Sequence, residues 1–271
     1  MPELPEVQTV ANHIRPNLIG KYIIGIEPLW TKTLDNFSPD DLIGKHKIIN
    51  VSRRAKFIII ELENFILAVH LRMTGKLYFL KDDLLPKHTR VVFYIENSKD
   101  LIFEDTRKFG RIYLYKDLSV INSRHGPEPL GKKFTPNWLL KNLKMKKRNI
   151  KALLLDQSFI SGLGNIYVDE SLWESGIHPN SISCAIPKTK VIRLHTAIQS
   201  ILEESIRQLG TTFNSFSFLN GQSGNYSNEL MIFGKHGQPC KICQSLIKKL
   251  RVAGRGTHIC TGCQMIHKPR K

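Results

Sequence analysis

Two pairs of cysteines near the C-terminus constrain this chain more than any other feature. Cys240-Lys-Ile-Cys243 and Cys260-Thr-Gly-Cys263 enclose sixteen residues, the spacing of a four-thiolate zinc site built on a β-hairpin. In a reducing compartment such pairs point to metal before disulfides. Four thiolates close a tetrahedral shell, so a single zinc ion here is expected to be structural. The residues between the pairs must double back, which places Lys249, Arg251 and Arg255 on a hairpin. Those cations read either as phosphate contacts or as solvated charges on a zinc staple. Cys184 stands apart and reads as an ordinary thiol.

The charge balance narrows the partner. Forty Lys and Arg oppose 23 Asp and Glu, for a net charge of +17, which favours a polyanion and nucleic acid first. No acid lies between Glu128 and Asp156, a gap holding eight Lys or Arg, and none follows Glu229, after which nine more appear. A lipid surface fits less well, because no lipidation signal or basic amphipathic helix is strong enough to prefer it. Nothing at the N-terminus resembles a signal peptide, and charges interrupt every apolar run short of a membrane span, so the expected location is cytosolic.

Read along its 271 residues, the chain predicts an α+β, multidomain protein. Pro5 and Glu6 suit a first helical turn, and Val7, Val10, Ala11, Ile14 and Leu18 continue at helical spacing. Short β-like runs follow at 22–26, 47–51, 57–62, 65–71, 76–80, 91–95, 101–103 and 111–115, the pattern of a sandwich or barrel. Arg53, Arg54 and Lys56 gather at the entry to an apolar strand, either as charges protecting an edge or as phosphate ligands. Gly75 ends a strand after His70-Leu-Arg-Met73-Thr, where Met73 reads more readily as core. Arg107 and Phe109 fall near a loop tip, where an exposed Phe beside an Arg could wedge into a base stack.

The texture changes near Gly126-Pro127-Glu128-Pro129, and from Pro136 onward it is helical. Ile150, Leu153 and Leu154 make an apolar face, and Ser161-Gly-Leu-Gly-Asn165 breaks it before a second helix, a DNA-binding arrangement. Asn165 is expected at that helix's N-terminus, as a plain cap or with the backbone N–H groups as a phosphate ligand. A further helix spans about 190–209. The Ser-, Asn-, Gly- and Phe-rich stretch 211–226 reads as a loop able to cover a site. The divisions drawn are 1–130, 131–234 and 235–271.

The N-terminus carries the remaining chemistry. Initiator Met before Pro is normally removed, leaving the secondary amine of Pro2 beside Glu3 and Glu6. An α-amino group titrates at about 7.7–8.0, so a useful fraction is unprotonated at neutral pH. Amines form Schiff bases with sugar carbons, and carboxylates nearby can act as acid or base. By itself this opening also fits a simple helix lead-in.

Taken together, the fragments resemble the bacterial formamidopyrimidine-DNA glycosylase family along essentially the whole chain. The resemblance rests on Pro-Glu-Leu-Pro-Glu-Val at 2–7, Arg-Arg-Ala-Lys-Phe at 53–57, His-Leu-Arg-Met-Thr-Gly-Lys at 70–76 and Asp-Thr-Arg-Lys-Phe-Gly at 105–110. Gly-Leu-Gly-Asn-Ile-Tyr-Val-Asp-Glu at 162–170 and Gly-Arg-Gly-Thr-His-Ile-Cys at 254–260 complete it. It implies an N-terminal β-sandwich with flanking helices, a helix-two-turns-helix domain and a C-terminal zinc β-hairpin, with double-stranded DNA bound between halves by a monomer. It implies removal of 8-oxoguanine and ring-opened purines by attack of Pro2 on the sugar, with β- and δ-elimination following. Glu3 is then the acid/base group and Glu6 a positioner of Pro2. Lys56, His70, Asn165 and Arg255 match phosphate-binding positions, Lys56 and Arg255 standing also with the catalytic set. Met73, Arg107 and Phe109 match the residues that fill the void left by the flipped lesion, and 217–226 matches the loop that closes over the base.

Three positions depart from the family pattern: Ala55 for Gly, Gln8 for Glu and Phe233 for Tyr. Two rival functions keep the same parts. The sister endonuclease for oxidised pyrimidines usually opens Pro-Glu-Gly-Pro-Glu, so Leu4 and the Met73/Arg107/Phe109 set favour the purine enzyme. A non-catalytic binder of bent or abasic DNA would have no need of the intact Pro2/Glu3 pair.

Overall fold

The computed structural model describes residues 2–81, 84–211 and 224–269. The chain divides into two compact units, one of residues 1–123 and 209–225, the other of 124–208 and 226–271.

The first unit opens with helix α1 (Leu4–Leu18), which Pro5 starts without losing a hydrogen bond and whose Val7, Val10, Ala11, Ile14 and Leu18 are fully buried. Eight strands follow: β1 (Tyr22–Pro28), β2 (His46–Arg54), β3 (Phe57–Leu62), β4 (Ile66–His70), β5 (Gly75–Phe79), β6 (Thr89–Ile95), β7 (Leu101–Asp105) and β8 (Arg111–Tyr115). Each overlaps one of the runs expected from alternating or continuous apolar residues. Their order is β5-β7-β6-β1-β2-β3-β4-β8, and all the strand pairs are antiparallel. Only two residue pairs, Tyr22↔Lys47 and Ile23↔His46, join β1 to β2. The sheet therefore divides there into two four-stranded leaves, a β-sandwich. Its main core takes side chains from both leaves, among them Val51, Ile58, Ile60, Val69, Phe93 and Phe103, and from α1. Because β1 meets β2 only at His46 and Lys47, the Arg53–Arg54 end of β2 pairs with β3 alone and lies at an edge of its leaf, which fits the reading of these cations as protection for a strand edge.

The second unit is helical: α2 (Ser119–Arg124) ends at the junction, and α3 (Pro136–Lys144), α4 (Ile150–Leu155), α5 (Asn165–Glu174) and α6 (Lys188–Arg207) follow. Thr135 caps α3 by accepting from Trp138 N at 3.1 Å, and Asn149 caps α4 by accepting from Ala152 N at 3.0 Å. Ile150, Leu153 and Leu154 are fully buried, as their spacing predicts. The chain ends in strands β9 (Lys248–Val252) and β10 (Arg255–Ile259), paired antiparallel. Ala253 and Gly254 connect them, both with positive φ (51° and 73°), as a two-residue turn matched to strand twist requires.

Candidate DNA interface, N-terminal site and zinc centre

In the first unit, Pro2, Glu3 and Glu6 are all buried at the start of α1. Glu6 turns back to accept from Glu3 N at 2.9 Å, closing the first helical turn and fixing the backbone that follows Pro2. Its other oxygen accepts from Thr211 N at 2.9 Å and Thr211 Oγ1 at 3.0 Å. The Glu6 carboxylate is thus tied to a segment 205 residues away. Gly210 makes this approach possible: its φ is +82°, and a Cβ there would lie 2.8 Å from Glu6 Oε1. Gly210→Ala is therefore expected to cost about 2 kcal/mol through left-handed strain and overpacking, read as a lower urea midpoint at unchanged slope. Thr211 and Asn225 pair across the base of the covering loop. Of the positions assigned to closing over the base, 217–226, those from 217 to 223 lie outside the described residues.

One end of the sandwich gathers five of the candidate DNA contacts. The β2–β3 turn (Ala55, Lys56), the β4–β5 connection (71–74) and the β7–β8 connection (106–110) all leave from it. Phe57 pairs with His70, His70 with Arg111, and Gly75 with Asp105. Lys56 is mostly buried within its turn, where Ala55 takes φ +53°. A left-handed alanine costs about 1–2 kcal/mol, which gives physical sense to the glycine usual at that position. His70 Nδ1 accepts from Arg72 N at 3.0 Å, and its ring meets Phe57 edge-on. Met73 is 39% exposed and Phe109 48%, so Met73 is not the core residue that its strand-like context suggested. The Arg107 guanidinium lies 4.9 Å from the Phe109 ring centroid, holding a cation and an aromatic face together at the surface.

In the second unit, Asn165 and Arg255 come together. Asn165 is the first residue of α5, not its cap, since Gly164 occupies the capping position. Its Nδ2 donates to Gly256 O at 2.9 Å, tying the helix start to the residue after Arg255. The exposed Arg255 opens β10.

The four cysteine sulfurs lie within 4.8 Å of one another. Cys240 and Cys263 Sγ are 3.8 Å apart, and Cys243 and Cys260 Sγ 3.3 Å. Zinc–sulfur bonds of about 2.3 Å in a tetrahedron set sulfurs about 3.8 Å apart, so the quartet fits one Zn²⁺. The side-chain and backbone hydrogen bonds of Ser245 pull the Cys243 thiol down to about 6, toward the thiolate that metal requires. The four thiolates hold one structural zinc ion.

Three buried charged groups escaped the sequence reading: Lys151, Asp169 and Glu170. Lys151 Nζ, fully buried, donates to Asp169 Oδ1 at 2.6 Å and Thr257 Oγ1 at 2.8 Å, while Asp169 Oδ2 accepts from His258 N at 3.0 Å. Glu170 accepts from the backbone N–H groups of Met231, Ile232 and Phe233 at 2.8–3.0 Å. Burial raises its carboxyl above the ordinary range against the pull of those bonds. The ring of Phe233 packs edge-on against His258. A lysine inside the apolar face of α4 was the available signal; its partners are too distant in sequence to read.

A β-sandwich beginning at Pro2-Glu3, a helical unit with the α4–α5 turns and a four-cysteine hairpin define the helix-two-turns-helix, zinc-hairpin class of DNA-binding proteins. Residues 1–112 match the formamidopyrimidine-DNA glycosylase N-terminal domain, 125–217 the formamidopyrimidine-DNA glycosylase H2TH domain, and 237–265 the zinc finger found in FPG and IleRS. The formamidopyrimidine-DNA glycosylase of Herpetosiphon aurantiacus is 41% identical, covering 97% of this chain and 100% of the relative. That of Protochlamydia amoebophila is 44% identical, covering 97% and 99%. Wild-type Lactococcus lactis Fpg (MutM) in complex with DNA containing N7-benzyl-Fapy-dG matches with a TM-score of 0.89 at 36% identity, over 97% of this chain and 99% of that one. MutM in complex with DNA containing carbocyclic 8-oxo-G matches with a TM-score of 0.89 at 35% identity, over the same shares. The chain belongs to the formamidopyrimidine-DNA glycosylase family. No described helix is long and apolar enough to cross a membrane.

Proposed function

We propose that this protein is a bifunctional DNA glycosylase/AP lyase of base excision repair, acting on 8-oxoguanine and formamidopyrimidines in double-stranded DNA. The observation that carries the reading is Pro2 at the foot of α1, with Glu3 as the next residue and Glu6 holding Glu3 N at 2.9 Å, in a chain of this family. With Met1 removed, the Pro2 nitrogen lone pair attacks the sugar C1′. The glycosidic C–N bond breaks, the base leaves with that electron pair and takes up a proton, and ring opening gives an iminium. Loss of a C2′ proton then expels the 3′ phosphate, and δ-elimination expels the 5′ phosphate. Glu3 serves as the acid/base group at the sugar, and Glu6 fixes the backbone that carries Pro2. The secondary amine suits this task because it is nucleophilic near neutral pH without deep burial.

Lys56, His70, Asn165 and Arg255 bind phosphates, and Lys56 and Arg255 also stand with the catalytic set by their match to the family's positions. Met73, Arg107 and Phe109 fill the void left by the extruded nucleotide, offsetting part of the few kcal/mol that flipping costs. The division into 1–130, 131–234 and 235–271 assigns chemistry to the first part, DNA grip and the covering loop to the second, and the zinc hairpin to the third. The protein acts as a cytoplasmic monomer. Since Lys56 and Arg255 each neutralise a phosphate, binding is expected to fall with salt on a log–log slope of about −2 or steeper. Fluorescence anisotropy across a salt series checks this, and a flat affinity would remove both residues from the interface.

The test of the chemistry is borohydride trapping on a duplex with one 8-oxoguanine opposite cytosine, comparing the Met-free protein with Pro2→Gly and Glu3→Gln. A cross-link mapped to Pro2 with loss of the base is expected. Tight binding with no cross-link would point instead to a non-catalytic binder of damaged DNA. A cross-link only on an oxidised pyrimidine would point to the sister endonuclease.

A further inference from the structure

Asp105 lies at the last position of β7, directly before the segment that carries Arg107 and Phe109. It is 1% exposed, and its hydrogen-bonding groups are engaged on every side. Its carboxylate Oδ1 accepts from Arg107 N at 3.1 Å and from the Thr74 hydroxyl, and Oδ2 accepts from Gly110 N at 2.8 Å. One buried carboxylate thus grips both ends of the Arg107–Phe109 segment. Through Thr74, which also accepts from Arg107 N at 3.3 Å, it grips the neighbouring turn that carries Met73. The main chain of Asp105 is held as firmly: its N donates to His88 O at 3.0 Å, and its carbonyl accepts from Arg90 Nε at 2.8 Å.

The geometry around the segment admits little slack. A Cβ on Gly110 would lie 2.3 Å from the Phe103 ring and 3.2 Å from Asp105 Oδ2, and one on Gly75 would lie 2.6 Å from Leu71 O. Lys108, between Arg107 and Phe109, takes φ +59° and sets its ammonium 3.9 Å from the Trp30 ring centroid. Trp30 N in turn donates to Arg90 O at 3.1 Å. Arg107, Lys108 and Phe109 nevertheless present their side chains at the surface. The backbone is fixed while the tips stay available, the condition for inserting side chains into a base stack at low ordering cost.

We propose that Asp105 and Thr74 are positioning residues for lesion exchange: together they set the β4–β5 and β7–β8 connections in one arrangement, so that Met73, Arg107 and Phe109 enter the duplex as a preformed wedge. Neither residue touches the reacting sugar. This inference rests on the void-filling reading of those three side chains. It predicts a selective defect, because a preformed wedge matters when a stacked, paired base must be extruded and matters little when the base is already absent.

The experiment compares wild type, Asp105→Asn, Thr74→Val and Thr74→Ser in two assays. One is single-turnover excision of 8-oxoguanine opposite cytosine; the other is borohydride trapping on a preformed abasic site. Asn keeps the shape of Asp105 but sets an NH₂ against one of its donors, and Val removes only the Thr74 hydroxyl. Excision is expected to slow by about 10-fold or more in Asp105→Asn and several-fold in Thr74→Val, the scale of a lost charge-assisted or neutral hydrogen bond. Trapping on the abasic site should stay within about 3-fold of wild type, a change too small to mark a lost charge-assisted bond. Thr74→Ser should restore excision. If Asp105→Asn does not fold, the Thr74 pair decides the matter, since Thr74 is only partly buried. Equal losses in both assays, or none in either, would overturn the proposal. Failure of the wild-type protein to excise the lesion at all would overturn the void-filling reading itself, and is distinguishable because it needs no variant.

Discussion

Stripping zinc from Cys240, Cys243, Cys260 and Cys263 is expected to melt the C-terminal hairpin and lower DNA affinity by about two orders of magnitude or more. The reasons are energetic. β9 and β10 are five-residue strands in a two-stranded sheet, and an isolated hairpin of that kind is marginal in water at best. Structural zinc bound by thiolates supplies roughly 10–16 kcal/mol at neutral pH, far more than the few apolar side chains around the quartet. Those side chains also connect the finger to its unit: Cys240, Ile247 and Cys260 form one small core with Trp173 and Ile232. Metal loss should therefore expose Trp173, seen as a red-shifted tryptophan emission, and release Arg255 from its place beside the start of α5. The helical far-ultraviolet signal should persist, because α3 to α6 bury their own apolar residues. DNA binding retained by demonstrably metal-free protein would show that the hairpin does not grip the backbone.

Asp169→Ala should be the most damaging single change in the interior of the helical unit, costing about 3–5 kcal/mol by leaving the buried Lys151 ammonium without its counter-charge. Both side chains are fully inaccessible, and the substitution also removes the carboxylate oxygen that accepts from His258 N. The pair joins α4, α5 and β10, so its loss loosens the platform of Asn165 and Arg255 together. The double variant Lys151→Met with Asp169→Leu should recover part of the loss, because removing both charges abolishes the unpaired one. Urea unfolding of wild type, the single variant and the double variant measures this. A loss under about 1 kcal/mol for Asp169→Ala would mean that water reaches Lys151 and substitutes for the carboxylate.

Parts of this protein were legible because their signals are local. A CxxC pair, a sixteen-residue span and a second CxxC pair admit few geometries, and the four sulfurs do converge. The short apolar runs in 57–60 and 91–95, rich in Ile, Val and aromatic residues, mark strands because buried strands of this length read as near-continuous apolar segments. Pro5 marks the start of α1 because the missing N–H costs nothing there. The ordered fragments from Pro2 to Cys260 resemble the family's motifs closely enough to imply its lesion chemistry.

Other features required the fold. Met73 reads as core in sequence, and only the pairing of Gly75 with Asp105 puts it on an exposed turn beside Arg107 and Phe109. Asn165 looks like a helix cap until the backbone shows Gly164 in that place. Glu6 with Thr211, Lys151 with Asp169 and Thr257, and Asp105 with Thr74 and Gly110 carry no sequence signature as pairs. Their partners are separated by up to 205 residues, and the interactions acquire their strength only where burial removes competing water. Periodicity and spacing determined which elements form, and the ordered family motifs determined what chemistry the chain carries; tertiary packing decided which side chains hold that chemistry in place, because a hydrogen bond to a buried carboxylate exists only once distant segments have excluded solvent around it.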